Sequence, residues 1–367
     1  MASNVKRRHE CRITNMYPFF RSLLFRLDPE TAHHLTLYAL RGTQYFPPAL
    51  WLLEKIHKVP SKPVQAFGLT FKNPVGLAAG YDKDGVAIRG LAALGFGHVE
   101  IGTVTPRPQP GNPRPRVFRL LEDEAVINRM GFPGRGMEYV AMSLRPSGSN
   151  PPADGEIASG TNIPRNDIIV GVNLGKNKDT PLEEAAKDYI ELMKVFAPLA
   201  DYLTINISSP NTVGLRRLQG RDMLEGLLGA IQDARHALHV TRPVLVKLSP
   251  DLNDDELDDA IGVILDKGMD GIIAANTTLS REGLRSGYQS ESGGLSGSPL
   301  RVRSEAALSR AAKLVDGRVP IVSAGGIMNP EDAKKRLALG ASLVQVYTGL
   351  IYRGPGLVGE IVRSLQS

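Results

Sequence analysis

Polar side chains that could do chemistry follow a series of short apolar segments along this chain. The stretch YLTINISSPNT carries Asn206, Ser209 and Asn211 at the end of one segment, and VLVKLS carries Lys247 within another. Core packing would favour apolar residues at such positions, so the pattern indicates a ligand site. The other segment ends carry glycines, amides, hydroxyls, an acid and lysines: Gly80, Asp82, Lys83, Thr103, Asn173, Lys176, Asn276, Thr277, Gly325, Gly326, Tyr347 and Thr348.

The apolar segments themselves predict the architecture. They cover residues 73–79, 98–104, 167–174, 201–208, 243–249, 271–277, 320–326 and 343–349. Their apolarity is continuous, which is typical of parallel strands covered on the outside. Helix-like spacing lies between them, as in Ala185, Tyr189, Leu192, Met193 and Phe196. Eight strand–helix units predict an α/β protein with a (β/α)8 TIM barrel, whose site lies at the carboxyl ends of the strands. The alternative, a doubly wound sheet, would need a G-x-G-x-x-G turn, and AAGYDKDG is not one.

Glycine turns after the last two strands predict a bound phosphate. The stretches SAGGIMNPED and QVYTGLIYRGPG lie where barrels often bind phosphate, and GGLSGSPL at 293–300 adds a third loop of backbone donors. Lys247, a charge inside an apolar strand, needs an electron-rich partner. A flavin fits, because a lysine can stabilise the negative charge of its reduced ring, and flavin mononucleotide (FMN) also supplies the phosphate.

Four asparagines, at positions 128, 206, 211 and 276, predict a planar ligand rich in carbonyl and N–H groups, such as a pyrimidine. Asn206 and Asn276 also begin N-x-S/T sequons. No secretion signal is present, since Arg21 and Arg26 interrupt the apolar run MYPFFRSLLFRL and no small-residue cleavage site follows. We therefore interpret both asparagines as ligand contacts rather than glycan sites.

Composition narrows the possible chemistry. The chain has 367 residues and a single cysteine, Cys11, which excludes a disulfide framework and a cysteine-cluster metal site. The segment ends lack paired histidines and have few carboxylates, so no metal site and no two-carboxylate hydrolysis are expected. The net charge of +6 is compatible with a solvated basic surface or with an anionic membrane or substrate. No motif of a nucleic-acid-binding module is present.

The N-terminal 60 residues differ from the rest. Residues 1–15 are polar and basic and are predicted to be a disordered leader. Asp28-Pro29-Glu30 predicts a helix start, and ETAHHLTLYAL and PPALWLLEKIHK predict two short helices. These helices either pack on the main domain, which composition alone favours, or lie on a bilayer as an interfacial hairpin. We expect the following side chains to be exposed: Phe19, Phe20, Leu24, Leu37, Trp51, Leu52 and Leu53.

Two long loops are also predicted. Residues 105–132 are proline-rich, which disfavours helix over most of their length. Residues 146–165 are rich in Gly, Ser and Pro and are expected to be a surface insertion without chemistry.

Eight motifs in order resemble the class 2, quinone-dependent dihydroorotate dehydrogenases. They are AAGYDKDG, GTVTPRPQPGNPRPRVFRL, NRMGF, NLGKNK, NISSPNT, ANTT, GGLSG and QVYTG, and the match runs from about Tyr17 to the C-terminus. The resemblance implies oxidation of dihydroorotate to orotate in pyrimidine synthesis, with one FMN per chain taking hydride and a membrane quinone reoxidising it. Only residues 1–15 and the length of the 146–165 insertion depart from the pattern.

The resemblance also implies residue roles. Ser209 is expected to be the general base, at the position where class 1 members carry a cysteine, with Thr212 and a water relay near Phe132 assisting it. His33, Arg119 and Tyr347 are expected to face the quinone. The expected FMN contacts are Ala79, Gly80, Tyr81, Asp82, Lys83, Thr103, Asn173, Asn206, Lys247, Ala275, Gly297, Gly326, Tyr347 and Thr348. The expected substrate contacts are Lys83, Asn128, Arg129, Met130, Gly131, Phe132, Asn206, Asn211, Asn276 and Thr277.

The same resemblance assigns the N-terminal helices to the membrane and the quinone. Residues 16–60 are expected to form a membrane-associating quinone tunnel, and residues 61–367 the FMN-binding barrel. This arrangement implies a peripheral protein on the cytoplasmic face of a bacterial cell membrane. Neither nucleic acid nor an obligate protein subunit is expected as a partner.

Three other functions fit parts of the same pattern. An FMN barrel that reduces uridine in transfer RNA would need a cysteine acid in the barrel, and the only cysteine is Cys11. A non-catalytic phosphate-binding barrel would bind no flavin. A dihydroorotate dehydrogenase that passes electrons to NAD would need an iron–sulfur partner subunit, and its N-terminal hairpin would have no role.

Overall fold

The computed structural model describes residues 17–145 and 168–366, and the predictions for residues 1–15, for Cys11 and for the 146–165 insertion lie outside them. Eight parallel strands form a closed barrel in which each strand pairs with the next along the chain. These strands are β3 (Val75–Leu77), β4 (His98–Val104), β7 (Ile169–Leu174), β8 (Tyr202–Asn206), β9 (Val244–Leu248), β10 (Gly271–Ala274), β12 (Ile321–Ala324) and β13 (Leu343–Val346). The predicted TIM barrel is confirmed, and every predicted strand contains an observed one.

Helices cover the outside of the barrel. They are α4 (Ile88–Ala92), α5 (Gly136–Leu144), α6 (Ala185–Phe196), α7 (Arg221–Ala237), α8 (Asp254–Asp266), α9 (Arg301–Val315), α10 (Pro330–Ala338), α11 (Thr348–Arg353) and α12 (Gly356–Ser364). In α6 the residues at helical spacing, Tyr189, Leu192, Met193 and Phe196, are all buried in the main core. Helix α8 begins at a capping box, in which Asn253 and Glu256 exchange side-chain-to-backbone hydrogen bonds.

A short hairpin closes the amino-terminal end of the barrel. Strands β1 (Val64–Ala66) and β2 (Leu69–Phe71) pair antiparallel, and Phe71 is fully buried against the barrel interior. Gly271 lies so close to Phe67 that a Cβ there would stand 2.5 Å from the ring. The amino-terminal end of the barrel is therefore closed by apolar side chains, and the polar groups lie at the carboxyl ends of the strands.

The prediction for residues 105–132 was wrong in one respect. The segment is not helical, but it contains β5 (Val117–Leu120) and β6 (Ala125–Asn128), which pair as a hairpin. A third strand, β11 (Gly294–Gly297), joins β6 antiparallel, so the GGLSG stretch is a strand as well as a loop. Sequence patterning missed this sheet because each strand has only four residues and β11 pairs across more than 160 residues of chain.

Three helices precede the barrel: α1 (Tyr17–Leu24), α2 (Pro29–Thr43) and α3 (Pro47–Ile56). Helix α2 begins as predicted, because the side chain of Asp28 accepts a hydrogen bond from the backbone N–H of Thr31 and Pro29 follows it. Helix α1 is tied to α11, since Tyr17 Oη donates to the carbonyl of Ile351 at 2.6 Å. In the described part of the chain no helix has the length and apolarity needed to cross a membrane.

The outward face of these three helices is apolar. Ten of the sixteen large hydrophobic side chains that are exposed in the described residues lie between positions 19 and 52, including Phe19, Phe46 and Trp51. Three of the residues expected there lie elsewhere: Leu37 is buried in the barrel core, and Leu24 and Leu53 line an internal cavity. The helices therefore both pack on the barrel and present an apolar surface.

A buried ion cluster attaches α2 to the segment before β5. The carboxylate of Glu30 accepts hydrogen bonds from Arg116 Nη2 at 2.7 Å and from Arg114 Nη2 at 3.0 Å. Burial works to raise the pKa of Glu30, but the two guanidinium groups outweigh it and hold the pKa below its usual range. Arg116 also donates to the carbonyls of Pro110 and Asn112, so one side chain joins the helix to the loop.

We expect Arg116→Met to lower the free energy of unfolding by about 3 kcal/mol, because it leaves a buried carboxylate without its main partner. The side chain of Arg116 is only 8% exposed and that of Glu30 only 6%. Arg114 shares Glu30 but is 67% exposed, so Arg114→Met is the matched control and should cost less than about 1 kcal/mol. Urea denaturation of both variants measures the difference, and equal losses would contradict this account.

Candidate active site

One buried carboxylate organises the barrel interior. Glu100, on β4, is fully buried and accepts four hydrogen bonds. The donors are Asn173 Nδ2 at 2.8 Å, Gln345 Nε2 at 2.9 Å, Tyr202 Oη at 3.1 Å and Thr204 Oγ1 at 3.3 Å. Because these donors come from β7, β8 and β13, a single side chain joins four strands at the barrel axis. Sequence analysis missed Glu100, although an acid inside the apolar run HVEIGTV is the same signal that marked Lys247.

A layer of amides and hydroxyls lies directly above this carboxylate. Asn173 Oδ1 accepts from Thr103 Oγ1 at 2.5 Å and from Asn206 Nδ2 at 2.9 Å. Asn276 Nδ2 donates to Ser208 Oγ at 3.0 Å and, more weakly, to Asn206 Oδ1 at 3.4 Å. Each amide is therefore fixed in orientation by its neighbours, which is the preorganisation that recognition of a planar polar ligand requires.

Two lysines place positive charge in this layer. Lys247 is opposite Asn206 in the β8–β9 register and is buried, and burial lowers its pKa while the charge of Glu100 opposes that shift. Lys83 Nζ donates to the carbonyl of Gly80 at 2.5 Å. Burial lowers the pKa of Lys83 to about 8, against the opposing charges of Asp84 and Glu30. Both lysines are positioned to meet an electron-rich ligand.

Asp82 does not face the same space. Its carboxylate accepts from the backbone N–H groups of Val86 at 2.9 Å and Ala87 at 2.7 Å, so it holds the turn that follows β3. Burial raises its pKa to about 6, and these backbone hydrogen bonds work to lower it. The carboxylate is thus turned toward its own backbone rather than toward Lys83.

Ser209 lies among the asparagines at the rim. Its Oγ accepts from the backbone N–H of Asn211 at 3.2 Å, and Asn211 Nδ2 donates to Asn128 Oδ1 at 3.1 Å. The carbonyl of Asn211 is held by Asn112 Nδ2 at 3.1 Å. The remaining amide oxygen, Asn211 Oδ1, is buried and has no partner within the described residues. An orphaned acceptor beside a serine hydroxyl indicates that a donor on a ligand completes this end of the site.

Glycines with positive φ line the opposite side. Gly297, Gly325 and Gly326 have φ values of 96°, 92° and 74°. A Cβ on Gly297 would lie 2.3 Å from the carbonyl oxygen of Glu124, and one on Gly326 would lie 2.5 Å from the Cα of Arg301. Only glycine fits these positions, and its bare backbone can approach a phosphate closely. Within the same SAGGIMNPED stretch, helix α10 begins at Pro330, where Asn329 caps it.

One cavity of about 490 Å³ brings these groups together. The predicted site residues that line it are Ala79, Gly80, Tyr81, Lys83, Thr103, Asn128, Met130, Gly131, Phe132, Asn206, Ser209, Asn211, Lys247, Ala275, Asn276, Thr277, Gly297, Gly326, Tyr347 and Thr348, together with His33 and Arg119. Asp82, Asn173, Arg129 and Thr212 lie outside its lining, and their ligand contacts stay predictions. Lys176 also lies outside, because its Nζ donates to the carbonyls of Asn177 and Thr180.

The cavity extends from the barrel into the space between the N-terminal helices. Phe20, Leu24, Ala32 and Leu53 line this outer part. A chain of rings crosses the boundary, with His33 5.0 Å from Tyr81 and Tyr81 6.0 Å from Tyr347, measured between ring centroids. Burial lowers the pKa of His33 to about 3, and Lys83 and His34 add to the shift, so His33 is neutral near pH 7.

Arg119 holds the wall of the outer cavity. Its guanidinium donates to the carbonyls of Leu24, at 3.1 Å, and of Leu27, and it stacks 4.7 Å from the centroid of the Phe25 ring. Within residues 17–145 and 168–366, no three His, Cys, Asp or Glu side chains are grouped so that they could hold a metal ion. The outer cavity thus combines a largely apolar wall with the guanidinium of Arg119, the neutral imidazole of His33 and the polar side chains of Glu30 and Thr36.

The closed (β/α)8 barrel, with a polar cavity at the carboxyl ends of its strands, places this protein in the TIM-barrel class of folds. The family model described as "Dihydroorotate dehydrogenase" matches residues 62–367, and the chain belongs to that family. A "Dihydroorotate dehydrogenase (quinone)" from Roseiflexus sp. is 47% identical over 355 residues, covering 96% of this chain and 94% of the relative. One of the same description from Acidithiobacillus ferrooxidans is 48% identical, covering 95% and 94%.

A solved structure agrees with these relatives. The crystal structure of DHODH from Eimeria tenella in complex with ferulenol matches with a TM-score of 0.76 at 39% identity. The match covers 92% of this chain and 90% of that one. The resemblance to the quinone-dependent class, stated from the motifs, is confirmed.

We expect Glu100→Gln to lower the free energy of unfolding by about 3 kcal/mol, because an amide N–H₂ would then face buried donors. Thr204→Val removes only the longest of the four hydrogen bonds at nearly constant volume and is the matched control, with an expected loss below about 1 kcal/mol. Chemical denaturation of both variants makes the comparison. A Glu100→Gln protein as stable as Thr204→Val would rule out the organising role of the carboxylate.

Proposed function

We propose that this protein oxidises dihydroorotate to orotate in pyrimidine biosynthesis and passes the electrons through FMN to a membrane quinone. The observation that carries the proposal is the single cavity that joins an amide-and-serine end to an apolar end between the N-terminal helices. The quinone-dependent relatives, which this chain matches over nearly its full length, support the same reaction.

The residues around the inner cavity fit FMN. The glycines at 297 and 325–326 carry no Cβ, so their backbone N–H groups can approach a phosphate closely, and Lys247 supplies a buried positive charge that can stabilise a reduced ring. When bound, FMN would supply the two-electron redox chemistry that links oxidation of dihydroorotate to reduction of the quinone. The predicted contacts that line the cavity, among them Gly297, Gly326, Lys247 and Asn206, would hold it.

The rim residues fit dihydroorotate. Asn128, Asn211 and Asn276 offer amide donors and acceptors to the ring carbonyls and N–H groups, and the orphaned Asn211 Oδ1 is the acceptor for one N–H. Lys83 offers a positive charge to the substrate carboxylate. Met130, Gly131 and Phe132 complete this wall.

Ser209 is the proposed general base. Its Oγ removes the C5 proton of dihydroorotate, and the backbone N–H of Asn211 holds that oxygen in place. A serine hydroxyl is a weak base unless a neighbour takes its proton. Thr212 lies three residues further along and is buried, and Phe132 lines the cavity, so both are proposed to shape the path by which the proton leaves.

The outer cavity is the proposed quinone site. His33, Arg119 and Tyr347 line it, and most of the other lining side chains from the N-terminal helices are apolar, with Tyr17, Glu30 and Thr36 as the polar ones. Those helices and the connections between them also expose ten large hydrophobic side chains, with basic residues such as Arg26 and Lys55 beside them. This combination is typical of helices that lie in a membrane interface. We therefore propose residues 16–60 as the membrane-associating segment, residues 61–367 as the FMN barrel, and the cytoplasmic face of the cell membrane as the location.

The first test is an anaerobic absorbance spectrum with dihydroorotate and then a soluble quinone. We expect dihydroorotate to bleach the flavin band and quinone to restore it, whereas NAD should not. Ser209→Ala should slow the bleaching by at least about 100-fold, because the general base is lost, and leave the quinone step unchanged. Protein without flavin, or flavin that dihydroorotate does not bleach, would favour the non-catalytic phosphate-binding barrel instead.

We expect Ala32→Phe to obstruct the outer cavity and raise the KM for quinone by roughly tenfold or more, because Ala32 lines its wall. The rate of flavin bleaching by dihydroorotate should not change. Leu35→Phe is the matched control, since Leu35 lies on the same helix with an exposed side chain. Steady-state kinetics against quinone concentration decide the question, and a loss confined to the dihydroorotate step would contradict a quinone site here.

A further inference from the structure

The side chain of Arg336, on α10, is completely buried although it carries a guanidinium group. Its Nη2 donates to Ser304 Oγ at 2.8 Å and to the carbonyls of Gly325 and Arg301, both at 3.1 Å. Its Nη1 donates to Ser323 Oγ at 3.3 Å. A buried arginine is expensive unless its hydrogen bonds are satisfied, and most of these bonds go to the backbone and hydroxyl groups behind the glycine turn at 325–326.

The hydrogen bonds to Gly325 fix the direction of one peptide group. The carbonyl oxygen of Gly325 accepts from Arg336 Nη2 and lies 2.9 Å from Ser304 Oγ, whose one proton is shared among the carbonyls of Gly325, Leu300 and Arg301. In a trans peptide the carbonyl and the following N–H point in opposite directions. The N–H of Gly326 therefore points away from Arg336, on the side where Gly326 lines the cavity. No acceptor within the described residues takes this N–H.

The charges around Arg336 do not cancel. Three cations, Arg301, Lys335 and Arg336, share two carboxylates, Glu305 and Asp332, at distances of 2.6 to 3.8 Å. Burial lowers the pKa of Arg336 to about 10 and the nearby charge of Arg301 adds to this, while Glu305 and Asp332 oppose it, so Arg336 stays charged at neutral pH. The cluster carries one net positive charge behind a turn that offers a free N–H donor.

We propose that Arg336 is a positioning residue for the phosphate of FMN. It touches neither the cavity nor the ligand. It acts by holding the 325–326 peptide so that the Gly326 N–H donates into the cavity, and by placing an uncompensated charge behind that donor. This inference rests on the proposed function, since it assigns a residue to the cofactor that the function requires.

The test compares the affinity of FMN with that of riboflavin, which has the same ring but no phosphate. Full-length protein stripped of flavin is titrated with each, and binding is followed by quenching of flavin fluorescence. Arg336→Lys keeps the charge but cannot donate to several acceptors at once. We expect it to weaken FMN by on the order of tenfold and riboflavin by less than about twofold. Far-UV circular dichroism and the melting temperature check that it folds.

Two further variants separate a local role from a general one. Ser304→Ala removes the hydroxyl that accepts from Arg336 Nη2 and contacts the Gly325 carbonyl, and it should weaken FMN by about three- to tenfold, again with little change for riboflavin. Lys313→Gln is the matched control, because it removes an exposed charge from the helix that carries Ser304 but lies outside the cluster around Arg336. It should change either affinity by less than about twofold.

The outcomes are distinguishable. A loss of FMN affinity with riboflavin affinity intact in Arg336→Lys and Ser304→Ala supports the positioning role. Equal losses for both flavins, or an unchanged ratio of the two affinities, overturn it while leaving the cofactor assignment intact. A wild-type protein that binds both flavins equally, or neither, overturns the FMN proposal itself and this inference with it.

Discussion

The buried carboxylate of Glu100 is the interaction on which the inner architecture depends. A closed barrel must fill its axis, and most of this one is filled by apolar side chains and by aromatic rings at the amino-terminal end. At the level of Glu100 the filling becomes polar, and every donor is matched to an oxygen of one carboxylate. That match orients Asn173, which in turn orients Thr103 and Asn206. The layer of amides and hydroxyls is therefore oriented by the same hydrogen bonds that satisfy the buried charge of Glu100.

A second buried carboxylate, Glu30, joins the N-terminal helices to the barrel, as Glu100 joins four strands of the barrel to one another. It fixes α2 against the loop that leads to β5, and Arg116 extends the connection to Asn112, which holds the carbonyls of Arg129 and Asn211. The helices that wall the outer cavity and the loop that supports the rim therefore share one set of hydrogen bonds. This arrangement explains how a segment outside the barrel can form a continuous cavity with it.

Much of the fold could be predicted because its signals are local. Each barrel strand is a short, continuous apolar run, and the site residues follow these runs directly, as Asn276 follows β10. The sheet of β5, β6 and β11 was missed because its pairing is long-range, and a four-residue strand carries little periodicity. Asp82 was placed among the site residues because it follows the first apolar run, but the turn sends its carboxylate to the backbone of Val86 and Ala87. Direction of a side chain at a turn depends on φ and ψ, which residue types alone do not determine.

The apolar outer face of α1 to α3 determines which concentration of quinone sets the turnover rate. On the proposed function, the acceptor enters from the lipid through walls built by Phe20, Leu24 and Leu53. The encounter then takes place in two dimensions, and its frequency follows the number of quinone molecules per lipid rather than per litre. Adding lipid at constant quinone would dilute the acceptor and slow the enzyme, although no bulk concentration had changed. The rate of dihydroorotate oxidation would then depend on how much quinone the membrane contains per lipid.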